Sequence, residues 1–228
     1  GLLWYKPNYD RIQRGLDGME PRLVRAIFAG HSHYDHLADI PTVASHTPEG
    51  IPIYVNAFGK HILAGEKHLK GRVHELEVGE PVDVSSFRVR AVASGHAPQL
   101  CRWRRFPCVY ANGPIDTDWT TPLTAHRNGA MSGGQPLALV IELLDGSKVR
   151  FRIYYNDASA DSPLGQTVGD FDLAILCIAQ WNWVRDYPRD LLMVLRPRHV
   201  VISHWDNFFT EARQTAHPVP LLTRGKIA

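Results

Sequence analysis

Three histidines and an aspartate lie within the six-residue segment 31–36, which reads His-Ser-His-Tyr-Asp-His. Neutral imidazole and carboxylate are the ligands that divalent zinc prefers where no thiolate is offered. In an extended or looped segment, His31 and His33 point the same way, and Asp35 and His36 can turn to a neighbouring position. One segment can therefore supply two metal ions. A solvated histidine-rich loop is the alternative, but this segment follows a predicted buried strand and contains a carboxylate, which favours a metal site.

Four candidate ligands share a position just past the carboxyl end of a predicted strand. They are His31, His96, Asp157 and His204. Strand ends at one edge of a sheet converge in space, and mixed α/β folds place their sites at that edge. We therefore expect these four residues and the rest of segment 31–36 to form one site.

The elements that must position these ligands are short strands and helices, predicted from hydrophobic periodicity and from turn residues. Strands are predicted at 23–29, 51–55, 73–78, 82–92, 137–144, 149–155, 173–178 and 199–203, and helices at 9–23 (with its exit), 39–44, 57–63 and 186–195. Asp145 and Gly146 are the predicted turn of a hairpin. No linker or repeat divides the chain, so we expect one domain, 1–228, with a long irregular insert at about 97–135.

The motif and the later strand-end residues resemble the metallo-β-lactamase superfamily. The resemblance rests on the His-x-His-x-Asp-His pattern of segment 31–36, followed in order by His96, Asp157 and His204. It implies an α/β (α+β) fold, the four-layer αβ/βα sandwich of the metallo-β-lactamase type. That fold opens with two or more strands before the segment seen here at 23–29. Few residues precede it in this chain, so we expect the first N-terminal strands to be lacking.

The resemblance also implies how the ligands are shared between two metal ions. His31, His33 and His96 would hold one ion, Asp35, His36 and His204 would hold the second, and Asp157 would bridge both. Zn²⁺ is the expected metal, with Mn²⁺ and Fe²⁺ as alternatives, because imidazole and carboxylate suit all three. Such a pair traps a hydroxide and lowers the pKa of its parent water toward neutrality. Asp35 is the expected catalytic residue, orienting this nucleophile or carrying a proton to the leaving group, unless it is only a ligand.

Composition excludes several classes of protein. The 25 lysines and arginines nearly balance the 23 aspartates and glutamates, so no nucleic acid partner is expected. No apolar run reaches the length of a membrane span. Three cysteines exclude a disulfide scaffold, although a Cys101–Cys108 bridge stays open, and Cys177 is expected to be inert core. No signal-peptide pattern is visible; the compartment is left open, with the cytoplasm favoured, and so is the oligomeric state.

Aromatic and basic residues near the predicted site are candidates for substrate binding. In the insert, Arg102 and Arg105 would bind an anionic group and Trp103 would stack on it, or the three form an ordinary solvated loop. Trp181 and Trp205 follow predicted strands and would line a pocket or, equally, pack between layers. The polar neighbours that are candidates for fixing ligands in place are Ser159, Ser203 and Asp206.

The resemblance implies a dinuclear, zinc-dependent hydrolase. A bridging aspartate such as Asp157 is typical of the superfamily's phosphodiesterase, lactonase and thioester hydrolase branches, and true β-lactamases usually lack it. The contexts Ser-His-Tyr-Asp-His-Leu and Ser-His-Trp-Asp-Asn-Phe look most like the branch of sugar-phosphate lactonases and phospholipase D-type phosphodiesterases. We therefore expect cleavage of a phosphodiester or a lactone-type ester in a small or lipid-like substrate. The alternatives are a catalytically silent metal-binding module that recruits a protein partner, and a thioester or β-lactam hydrolase of the same superfamily.

Overall fold

The computed structural model describes residues 4, 6–97, 114–127, 130–160 and 169–205. These residues belong to two compact units, one drawn from Gly1–Glu77 and Leu100–Gln135, the other from Val78–Gln99 and Pro136–Ala228. The single domain expected from the sequence stays a prediction. The Cys101–Cys108 bridge left open above lies outside the described residues.

A three-stranded parallel sheet forms the centre of the first unit. Its strands are β1 (Ile27–Phe28), β2 (Ile53–Val55) and β3 (Val73–Glu75), in that order across the sheet. β1 is shorter than the strand predicted at 23–29, because Pro21–Leu23 forms a 3₁₀ turn in which the N–H of Leu23 donates to Glu20 and that of Val24 donates to Pro21. Proline is favoured at the start of such a turn, since its φ is fixed and it has no N–H to satisfy.

The described part of the first unit also contains four α-helices, one before β1 and three after it along the chain. They are α1 (Tyr9–Leu16), α2 (Tyr34–Leu37), α3 (Ile40–Ser45) and α4 (Ala57–Leu63). Asparagine caps two of them: the side chain of Asn8 accepts from the N–H of Arg11, and that of Asn56 accepts from the N–H of Gly59. The buried core of the unit consists mainly of aliphatic residues from α2, α3, β2 and α4, among them Leu37, Ile40, Ile53, Val55, Ile62 and Leu63.

The second unit is built on a six-stranded sheet. Its strands, in sheet order, are β4 (Pro81–Val84), β5 (Phe87–Ala93), β6 (Leu137–Asp145), β7 (Lys148–Asn156), β8 (Leu173–Cys177) and β9 (His199–Ser203). The single strand predicted at 82–92 is wrong. It is a hairpin, with Val84 paired to Phe87 and Ser85 at a left-handed φ of 56°. The turn was missed because it contains neither the glycine nor the asparagine that usually adopts this backbone.

The strand directions in the second sheet bring four carboxyl ends to one edge. β6 runs antiparallel to both β5 and β7, whereas β7, β8 and β9 are parallel to one another. β5, β7, β8 and β9 therefore end at the same edge. The helix α5 (Arg189–Leu195) connects β8 to β9, and its Leu191 and Leu195 pack in a core cluster with Tyr154 and Leu176.

No helix among the described ranges is long and apolar enough to cross a membrane.

Candidate metal centre

The loop between β1 and α2 carries the ligand candidates of the first unit. The side chains of His31 and His33 are buried, and their ring centroids lie 4.8 Å apart, nearly perpendicular. The His36 ring lies 4.1 Å from that of His31, and its Nε2 lies 3.6 Å from Oδ2 of Asp35. One ring nitrogen of His31 lies within 4.8 Å of a ring nitrogen of His33, and one lies within 4.8 Å of a ring nitrogen of His36. Three imidazoles and one carboxylate thus cluster within this unit.

Ser32 anchors this loop from its buried side. Its backbone N–H donates to the carbonyl of Gly133 at 3.0 Å, and its hydroxyl donates to Oδ1 of Asn56 in a short hydrogen bond. The carbonyl of His33, the residue before α2, then accepts from the N–H of Leu37, the last residue of that helix. Because Ser32 lies between two candidate ligands, these bonds fix the backbone that carries both histidines.

The second unit places its three candidate ligands at one edge of its sheet. His96 lies three residues after β5, Asp157 follows β7 directly, and His204 follows β9 directly. These are the strands whose carboxyl ends share an edge, which is where α/β folds place their sites. The strand-end position that the sequence predicts for each of these residues is confirmed.

Asp157 is a buried carboxylate with a specific donor. It is 4% exposed, and the phenol of Tyr155 donates to its Oδ1 at 2.9 Å. Burial, followed by the negative charge of Asp157, raises the pKa of the Tyr155 phenol above its ordinary value. The phenol therefore keeps its proton and remains a donor to the carboxylate. Sequence reasoning missed Tyr155, although its i, i+2 spacing from Asp157 would have placed the two side chains on one face of an extended strand.

The hydrogen bond of His96 fixes which ring nitrogen carries the proton. Nδ1 of His96 lies 2.8 Å from the carbonyl oxygen of Ala97. A carbonyl oxygen can only accept, so Nδ1 must be the donor. In the neutral ring, Nε2 then carries no proton, which is the protonation state of a metal-binding histidine nitrogen.

His204 has an unusual backbone conformation, with φ at 56°. For a residue other than glycine, the left-handed region costs on the order of 1 kcal/mol, and such residues cluster at functional sites. The conformation turns the chain sharply at the end of β9, where the sequence predicts the last ligand.

Buried hydrogen bonds connect Ser159, two residues after Asp157, to the end of β8. The hydroxyl of Ser159 donates to the carbonyl of Cys177 at 2.8 Å, and the phenol of Tyr187 donates to the same oxygen at 2.6 Å. Burial raises the pKa of the Cys177 thiol to about 11, as befits the inert core residue expected from the sequence. Ser159 thus ties the chain after Asp157 to the end of β8.

Of the remaining candidates for binding substrate or for fixing ligands in place, some lie outside the described residues and the others lie within them. Arg102, Trp103, Arg105 and Asp206 lie outside the described residues. Trp181 packs against the core cluster of the second unit, which is the packing alternative for this residue. Trp205 is 38% exposed and directly follows His204. The backbone carbonyl of Ser203 accepts a hydrogen bond from the N–H of Ile178.

The donor types present fit a divalent metal ion. Imidazole nitrogens and carboxylate oxygens suit zinc, manganese and iron(II), and Nε2 of His96 carries no proton in the tautomer that the Ala97 carbonyl selects. The described residues include groups of histidine and aspartate that could hold such an ion.

A family model described as the beta-lactamase superfamily domain matches residues 6–205. The chain belongs to the beta-lactamase superfamily. The match spans the first and the last of the seven candidate ligands, His31 and His204. Membership of this superfamily favours a metal-dependent hydrolase and implies that a divalent metal is bound.

One of the similar solved structures supports the fold expected for this superfamily. The metallo-beta-lactamase fold protein YhfI from Bacillus subtilis is similar, with a TM-score of 0.53 and 13% identity over 85% of this chain and 70% of that protein. A possible metal-dependent hydrolase from Veillonella parvula is 16% identical, with a TM-score of 0.46, over 79% of this chain and 62% of its own length. The two sheets and their helices thus match the metallo-β-lactamase fold, and the expected fold class is confirmed. None of the curated proteins matches this chain.

Proposed function

We propose that this superfamily member is a hydrolase that uses two divalent metal ions, with zinc as the first choice. The observation that carries the proposal is the cluster of three imidazoles and one carboxylate on the loop after β1. In the proposed arrangement, His31, His33 and His96 hold one ion, Asp35, His36 and His204 hold the other, and Asp157 bridges them. Each set is made of donor types that could hold a metal ion.

The chain's own residues suit three roles in such a site. Tyr155 stabilises Asp157 in its ionised form, because its phenol donates to the carboxylate and does not itself ionise. The Ala97 carbonyl holds His96 in the tautomer whose Nε2 carries no proton. Asp35 is the most exposed of the loop's four candidates, and its proposed role is to orient the nucleophile or to carry a proton to the leaving group. Two divalent cations, when bound, lower the pKa of a water molecule and stabilise negative charge on the substrate.

The proposed substrate is a phosphodiester or a lactone-type ester in a small or lipid-like molecule. A carboxylate at the bridging position, Asp157, supports this choice over a β-lactam, since the resemblance ties that residue to the phosphodiesterase and lactonase branches. The exposed indole of Trp205, directly after His204, offers an apolar surface for a lipid-like group. Arg102 and Arg105, which the sequence suggests as partners of an anionic group, are proposed to bind a phosphate, and Trp103 is proposed to stack on it.

Turnover of model substrates tests this proposal. A bis-aryl phosphodiester and an aliphatic lactone are incubated with the protein and added zinc or manganese, alongside the variant Asp157→Asn. The matched control is Asp172→Asn, a second aspartate on the same sheet, placed before β8 and so at the opposite edge. We expect turnover by the wild type and by Asp172→Asn, and loss of turnover in a folded Asp157→Asn. Full activity of Asp157→Asn contradicts the two-metal assignment, and inertness toward both substrates favours the thioester, β-lactam or silent-module alternatives.

A further inference from the structure

The side chain of Asn56 is at the centre of a buried hydrogen-bond network that reaches the ligand loop, the segment of residues 31–36. Its Oδ1 accepts from the hydroxyl of Ser32 and from the N–H of Gly59 at 2.9 Å. Its Nδ2 donates to the carbonyl of Gly133 at 2.7 Å and to that of Gln135 at 2.9 Å. The side chain is 4% exposed, and these four bonds use the two donors and the two acceptor positions of its amide.

The orientation of this amide is determined by its partners. The carbonyls of Gly133 and Gln135 can only accept, and the N–H of Gly59 can only donate, so the nitrogen and the oxygen of Asn56 cannot be exchanged. The hydroxyl of Ser32 must in turn act as the donor. The network therefore has one arrangement, and it joins segments that are 77 and 79 residues apart in the chain.

Gly133 brings the same network against a ligand candidate. A Cβ atom added at Gly133 would lie 2.8 Å from Nε2 and 2.9 Å from Cε1 of the His33 ring, closer than real Cβ contacts allow. Gly133 has an ordinary φ, so the close approach of the ring, and not a special backbone, is what requires glycine here. The backbone that Asn56 holds is therefore the surface against which the His33 ring lies.

We propose that Asn56 and Gly133 are positioning residues that set the placement of the loop carrying His31 and His33 and thereby its affinity for metal. Asn56 accepts a hydrogen bond from Ser32, which lies between the two histidines, and donates one to the carbonyl of Gly133. Gly133 is the residue whose added Cβ would meet the His33 ring. This inference rests on the proposed function, because it takes the loop to be a metal ligand. Removal of groups that orient metal ligands typically weakens metal binding by about 10- to 100-fold.

The variant Asn56→Asp separates positioning from helix capping. Aspartate keeps the oxygen that caps α4 and accepts from Ser32, but it places a second carboxylate oxygen against the carbonyls of Gly133 and Gln135. We expect its zinc affinity, measured by competition with a chromophoric chelator, to fall by about 10-fold or more. Asn8→Asp is the matched control, because Asn8 also caps a helix through its side chain and the exposed bond it makes is local to α1. That control should keep its zinc affinity.

Gly133→Ala tests the contact with His33 directly. The added methyl group must displace the His33 ring or the backbone that supports it, and we expect zinc affinity to fall by about 10-fold or more. Gly15→Ala is its control, since Gly15 lies in α1 with open space around the added Cβ. This variant should bind zinc as the wild type does, with slightly higher helix stability.

Cobalt(II) absorption supplies a readout that a loss of stability alone would not change. Each variant is measured at a temperature where circular dichroism shows it to be folded. We expect the d–d bands of Asn56→Asp and Gly133→Ala to differ from those of the wild type, and those of Asn8→Asp and Gly15→Ala to match. Wild-type affinity and spectrum in both test variants would overturn the inference while leaving the proposed function intact. Failure of the wild type to bind zinc or cobalt would overturn the proposed function and, with it, the inference. Should Asn56→Asp not fold, Gly133→Ala decides alone.

Discussion

The phenol of Tyr155 donates its hydrogen to Oδ1 of Asp157 across 2.9 Å. Replacing Tyr155 by phenylalanine keeps the ring and removes this donor from a buried carboxylate. A hydrogen bond to a charged group contributes about 1.5–3 kcal/mol, so we expect the free energy of unfolding of the metal-free chain to fall by roughly that amount. Metal affinity should also fall by about 10-fold, because the ligand loses the group that orients it.

Urea denaturation and zinc competition measure the two effects of Tyr155→Phe. Tyr9→Phe is the matched control, because Tyr9 is 63% exposed on α1. Its unfolding free energy and zinc affinity should match those of the wild type. Unchanged metal affinity in Tyr155→Phe would contradict the role assigned to the phenol.

The shared acceptor at Cys177 predicts a strongly coupled pair of substitutions. Ser159 and Tyr187 both donate to the carbonyl of Cys177. Removing one of these two donors therefore leaves the buried oxygen with the other side-chain donor. Ser159→Ala and Tyr187→Phe should each cost about 1 kcal/mol. The double variant should cost more than the sum, because it removes both side-chain donors to the oxygen. A double-mutant cycle by urea denaturation measures the coupling, and strict additivity would contradict it.

The Cys177 thiol predicts a pH dependence of stability on the alkaline side. Burial raises its pKa from 9.0 to about 11, so between these values the unfolded chain loses a proton that the folded chain keeps. The thiol's contribution is full below pH 9 and is lost as the pH rises toward 11. We compare unfolding free energies from pH 8 to 10.5 for metal-free chains that carry Cys101→Ser and Cys108→Ser, with and without Cys177→Ala. The alanine chain should lose less stability over this range, and parallel curves would refute the assignment.

The strand-end positions of the candidate ligands could be predicted because each depends on a local signal. A short apolar run followed by histidine or aspartate marks both a strand and its end, as at β9 and His204, and the structure confirms β9 at the predicted bounds. Helix α4 also begins and ends where predicted, since the cap Asn56 precedes its apolar positions. The hairpin at Ser85 was missed because its turn lacks the residues that mark such turns.

The residues proposed to orient the candidate ligands could not be predicted, because those roles depend on contacts between distant segments. Nothing near Gly133 in the sequence shows that the His33 ring lies against it. Asn56 is recognisable as a helix cap, but its bonds to Ser32, Gly133 and Gln135 exist only once three segments meet. The sequence predicts an irregular insert at about 97–135 and does not show that one of its last residues, Gly133, accepts a hydrogen bond from Ser32 in the ligand loop.

The metal content of the purified chain tests the central claim most directly. Protein is prepared without chelator, supplied with zinc or manganese, dialysed, and analysed for metal per chain by elemental analysis. The proposed ligand sets predict about two ions per chain in the wild type and fewer in Asp157→Asn. A wild-type chain that takes up no metal, or that saturates at about one ion, would contradict the two-metal site.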